Sequence, residues 1–111
     1  MGQWADLQRR IDVLYARATS DDPDSRLLVE IEDVLAEGYL CALRGDVRSR
    51  QLAKRLEALV GDLEQPGVAA QASTLALEQR ATDEATRDLR SRLRAMHECW
   101  VRLGSERLGL A

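Results

Sequence analysis

Gln65-Pro66-Gly67 is the stretch that decides how this chain folds. Pro66 lacks the N–H that a helix interior requires, and Gly67 accepts a left-handed backbone without steric cost, so the chain reverses here. A long apolar repeat runs on either side. Downstream, Val68, Ala72, Leu75, Gln79, Thr82, Thr86, Leu89, Leu93, Met96, Trp100 and Leu103 follow one another at steps of four and three. Upstream, Leu28, Ile31, Leu35, Gly38, Ala42, Gly45, Ser49, Leu52, Leu56, Leu59 and Leu63 keep the same rhythm. This heptad spacing is the signature of a helix that holds one face against a partner.

Folding the two runs back about Gln65 sets Leu56 near Leu75 and Ile31 near Trp100. Gly38 and Ala42 fall opposite Leu93 and Leu89, small against large, as close packing requires. Gly45 and Ser49 face Thr86 and Thr82, which makes the middle of the seam its weakest part. The expected fold is all-α: a long antiparallel helical hairpin, coiled-coil-like, with helices over about 24–64 and 67–103. At ~1.5 Å per residue such helices would span ~60 Å, giving a long, thin hairpin. The alternative breaks the runs at Gly45-Asp46 and Thr82-Asp83-Glu84, where Gly would serve as a C-cap and Asp as an N-cap, and yields a compact four- or five-helix bundle. Register continuity through Gly45 favours the hairpin, against the ~1 kcal/mol that an interior glycine costs a helix.

An N-terminal third helix is expected over 3–19, with Trp4, Leu7, Ile11, Leu14 and Ala18 on its apolar face and Arg9, Arg10, Asp12 and Arg17 on its wet side. The connection through Asp22-Pro23-Asp24 is short and supplies a cap for the next helix, so the third helix returns antiparallel to it. It needs a second apolar stripe to rest on, and Leu27, Val34 and Cys41 provide one; the equivalent later positions are Arg48 and Arg55. The third helix is therefore packed on the base of the hairpin, which continues as a two-helix protrusion. Trp4, Tyr15, Tyr39, Met96 and Trp100 are expected to collect in that base. Gly104 is read as the end of the last helix, leaving 1–104 as a single helical domain and 105–111 as a frayed tail.

Composition agrees with this class. The chain has 111 residues, no Phe, two Trp and two Tyr, so its core is built from Leu and Ala with little aromatic mass to line a pocket. Net charge is −3, which gives no overall bias toward nucleic acid, and fifteen of the sixteen basic residues are Arg, a bias that reads as a GC-rich bacterial coding sequence. The N-terminus shows no signal peptide and no apolar run reaches the ~18 residues of a membrane span, so the expected location is cytoplasmic. Cys41 and Cys99 lie far apart in the proposed register and are expected as free thiols.

Chemical signatures are few. His97-Glu98-Cys99-Trp100 holds the only histidine, but the position four residues on is Val101, so the zinc-protease helix motif is not formed. His97 and Cys99 point to different faces of one helix and do not make a nucleophile–base pair. No phosphate loop, nucleophile elbow or cofactor fingerprint occurs. The acidic residues Asp21, Asp22, Asp24, Glu30, Glu32, Asp33 and Glu37 match no calcium loop. The expectation is a protein that is not an enzyme and has no catalytic residue, cofactor, metal or small-molecule substrate.

Two surfaces stand out instead. Ala53 and Val60 on one hairpin helix, with Ala70, Leu77 and Ala81 on the other, form a second apolar stripe, which a homodimer or another helical protein would cover. Arg44, Arg48, Arg55, Arg80 and Arg87 form a basic band across the middle of the hairpin. Asp83, Glu84 and Asp88 lie among them and no aromatic residue interleaves, so a solvated charged face is the first reading and phosphate contacts the second. The function expected is a helical protein–protein interaction or assembly module acting as a homodimer. The alternative is a nucleic-acid-binding accessory protein that uses the arginine band.

Overall fold

The structure, a computed structural model, describes residues 2–19 and 25–107. These form three α-helices: α1 (Gly2–Ala18), α2 (Ser25–Val60) and α3 (Val68–Arg107). The fold is all-α, a long helix pair packed against a third helix. The compact four- or five-helix bundle is not adopted, because α2 runs unbroken through Gly45-Asp46 and α3 through Thr82-Asp83-Glu84. The reason lies in what the glycines face. A Cβ on Gly38 would overlap the Leu93 side chain, and one on Gly45 would overlap the Thr86 hydroxyl. Both glycines sit in the helix so that α3 can approach closely, and neither acts as a cap.

The reversal falls where Pro66-Gly67 requires it, but α2 stops four residues short of the expected Glu64. From Gly61 the chain takes successive tight turns: the N–H of Asp62 donates to the Leu59 carbonyl (3.0 Å), that of Gln65 to Asp62 (3.0 Å) and that of Val68 to Gln65 (3.2 Å). Gly61 lowers helix propensity at that point, and Pro66 disfavours helical backbone at the residue before it. Gly67 has φ +82°, and its carbonyl accepts the N–H of Gln71 (3.1 Å) to open α3. Leu63, expected in the seam, remains exposed in the turn.

At the other end Gly104 does not stop α3, which continues to Arg107, so the expected fraying of 105–107 is corrected. Nothing lies within 4 Å of a Cβ built on Gly104, and Leu103 just before it is buried. Packing of that last apolar turn outweighs the ~1 kcal/mol penalty of one glycine. The Asp22-Pro23-Asp24 cap and residues 108–111 lie outside the described residues.

The chain divides into two compact units, Met1–Leu40 with Leu89–Ala111, and Cys41–Asp88. In the first, three helices bury one common set of side chains. These are Leu7, Ile11, Leu14 and Ala18 of α1, Leu27, Ile31, Val34 and Leu35 of α2, and Leu89, Leu93, Met96, Cys99 and Leu103 of α3. The doubled stripe of α2 is thus used as its sequence requires, with Leu27 fully buried and Leu28 half-buried at the seam edge. Arg10 donates to Glu37 and Arg17 to Glu30, seven residues apart in opposite order, which fixes α1 antiparallel to α2. Arg92 of α3 donates to Asp12 of α1 at 2.8 Å. Residues read as a wet face therefore clamp α1 to both neighbours, though exposed pairs of this kind contribute at most ~1 kcal/mol each. Of the expected aromatic cluster, Met96 is buried and Trp4 and Trp100 are half-buried, whereas Tyr15 and Tyr39 are exposed.

The second unit consists of α2 and α3 alone. Its buried residues are Ala42, Leu52, Ala72 and Thr86, and Leu52 is the single large apolar side chain among them. Leu56, Leu59 and Leu75 of the seam are only half-buried. Two helices can cover one face each and no more, so this unit has a thin core.

Candidate interaction surface

Five large apolar side chains of the two-helix unit stay exposed: Leu43, Val47, Val60, Leu63 and Leu77. Leu77 is the most exposed of them, at 61%. Helical periodicity of ~100° per residue places it far round α3 from the buried Ala72 and Thr86. Ala70 and Ala81, seven residues before and four after Leu77, share that outward face and are exposed. On α2, Val60 is 58% exposed and Ala53 half-buried, both flanking the seam rather than opposing it. Of the five residues proposed from sequence, Ala70, Leu77 and Ala81 thus form one continuous outward row, and Ala53 and Val60 belong to the seam edge of the other helix.

In each unit α2 also exposes apolar residues that the periodic reading of the seam left unassigned. In the three-helix unit these are Val29, Ala36 and Leu40, and in the two-helix unit Leu43 and Val47. Their signal was present as a second heptad series, offset from the seam. It was hidden because the first series already accounted for the helix.

Of the arginine band, Arg48 makes an ion pair across the two helices. Arg48 Nη2 donates to Glu78 Oε1 across the two helices at 2.6 Å. Arg80 and Arg87 line a shallow depression on α3 together with Asp83 and Glu84, so the surface there is mixed in charge. Arg44 and Arg55 are exposed on α2.

Comparison with protein-family models, with curated proteins and with solved structures gives no match. The site must therefore be read from its own residues. His97 is exposed and stacks on Trp100 with ring centroids 5.9 Å apart, while the Trp100 indole N–H donates to Glu32 at 3.2 Å. Cys99 is buried one helical face away and its sulfur accepts from Arg102 at 3.7 Å, so His97 and Cys99 occupy separate environments. Both cysteines are free thiols. Among the described residues no group of three or more His, Cys, Asp and Glu is placed to share a metal ion, and no helix is long and apolar enough to cross a membrane. An open groove between α1 and α2 has Val13, Leu14 and Val34 along its floor. Its rim is charged by Arg10, Arg17 and Glu30, residues of the α1 clamps.

Proposed function

We propose that this chain is a non-enzymatic helical assembly module that associates with a second copy of itself. One observation carries the reading: the two-helix unit buries a single large apolar side chain, Leu52, yet leaves five others at 45–61% exposure. A hairpin that holds so little inside is stabilised by covering what it leaves outside, and pairing two such hairpins into a four-helix bundle is the simplest way to do so. The row Ala70, Leu77 and Ala81 supports this use, since small residues on either side of a leucine let a second helix come close.

The test is the solution mass of the chain carrying Leu77→Glu. Leu77 has little buried contact to lose, so helical circular dichroism stays unchanged while the charge opposes pairing. We expect the mass to fall to half that of the wild type by light scattering. An unaltered mass would remove the Leu77 row from the interface.

A further inference from the structure

We infer that the Leu77 row takes the same row of a second copy, laid antiparallel, so that the two α3 helices run against each other in opposite directions. This rests on the homodimer proposed above; it adds which helix the partner supplies and in which sense. A pair closed by one kind of contact is isologous, each copy offering the same patch. The row must therefore complement itself, and its own residues decide how. At ~100° per residue, Ala70, Ser73, Ala81, Glu84 and Asp88 all lie within about 40° of Leu77 around α3. All six are exposed, and all belong to the two-helix unit.

The strip is charged at one end only. Ala70 and Ser73, before Leu77, are uncharged, whereas Glu84 and Asp88, after it, are acidic. In a parallel pair each residue meets its own copy. Glu84 would then face the partner's Glu84, and Asp88 the partner's Asp88, so that like charges meet twice within the contact. An antiparallel pair with its two-fold axis at Leu77 avoids this. Leu77 meets the partner's Leu77, and Ala81 meets the partner's Ser73, small against small, so the helices approach closely. Glu84 then lies beside the partner's Ala70, and Asp88 reaches the partner's turn at Pro66. Each carboxylate rests against uncharged residues near an end of the contact, open to water. A nucleic acid in place of the second copy is repelled by Glu84 and Asp88, and a membrane surface calls for more apolar area than one leucine offers.

The experiment reads mass and distance on one sample. A nitroxide is attached at Gln65→Cys, in a chain whose half-buried Cys41 is replaced by Ala; Cys99 is buried, and the Cys41→Ala chain without Gln65→Cys checks that it takes no label. Gln65 is exposed in the turn, outside the strip, so the label leaves Glu84 and Asp88 in place. In an antiparallel pair centred on Leu77 the two labels stand ~30 Å or more apart, because α3 starts nine residues before Leu77 in each copy. In a parallel pair the two turns lie side by side, within ~20 Å. We expect the two-copy mass by light scattering and the longer distance by pulsed electron resonance. A two-copy mass with the shorter distance overturns the inference and leaves the homodimer standing. A one-copy mass removes the homodimer itself, and the inference falls with it. Adding Leu77→Glu should return the labelled chain to the one-chain mass of about 12.4 kDa. A pair that survives that change is made elsewhere and overturns the inference whatever its distance. Should Cys41→Ala lower the helical signal, Cys41→Ser takes its place.

Discussion

At the scale of single residues, the glycines of this chain do opposite work according to what stands in front of them. Gly38 and Gly45 lie in the helix interior at a cost of ~1 kcal/mol each relative to alanine, and they stay because the Leu93 and Thr86 side chains occupy the space a Cβ would need. Leu93 is fully buried and Thr86 is β-branched with a stiff χ1, so neither yields easily. Gly104 lies in the same kind of backbone with open space around it. We therefore expect opposite signs for one substitution. Gly104→Ala stabilises by about 0.5–1 kcal/mol. Gly38→Ala destabilises, because an overpacking cost of about 1–3 kcal/mol exceeds the propensity gain. Thermal denaturation of the two variants beside the wild type checks both signs, and a higher melting temperature for Gly38→Ala would show that Leu93 moves aside freely.

At the scale of elements, α2 is one helix with two kinds of surroundings. Over its first half it buries two stripes, Leu27 with Val34 and Ile31 with Leu35, in a unit to which α1 and α3 both contribute. Over its second half α3 alone covers it, and the positions that would have met a third helix are Arg48 and Arg55. Leu52 is then the one fully buried anchor of the two-helix unit, and Leu52→Ala is expected to cost about 2–5 kcal/mol. Hydrogen exchange locates the damage. Amides of residues 42–60 and 70–88 should lose protection in that variant while those of α1 keep theirs, since local stability follows local burial. Equal loss in α1 would mean that the two units open as one.

At the scale of the whole molecule, net charge is small and its distribution matters more than its sum. The value of −3 provides no long-range attraction for a phosphate backbone. The band of Arg44, Arg48, Arg55, Arg80 and Arg87 is offset by Glu78, Asp83 and Glu84 on the facing and neighbouring turns. We expect no retention on immobilised duplex DNA or RNA at physiological salt. Retention that falls steeply with log salt, and that is lost in Arg80→Ala with Arg87→Ala, would instead support the nucleic-acid reading.

The sequence by itself determined the class of fold, the place of reversal and the seam. The heptad steps either side of Gln65-Pro66-Gly67 predict Gly38 against Leu93 and Gly45 against Thr86, and both contacts are present. The switch from Leu27 and Val34 to Arg48 and Arg55 marks how far a third helix extends along α2. These features are legible because periodicity is local: a residue's angle on its helix follows from its number. What only the tertiary structure decided is which angles are covered. Gly45 reads as a point of close approach on register alone, with a cap as the alternative, until Thr86 is seen in front of it. Arg10, Arg17 and Asp12 read as a solvated face until Glu37, Glu30 and Arg92 arrive from other helices to meet them. Leu43 and Val47 are apolar in the sequence, but their exposure depends on which side of α2 the α3 helix leaves uncovered. Burial is a property of the neighbours a residue acquires, and those come from parts of the chain far away in sequence.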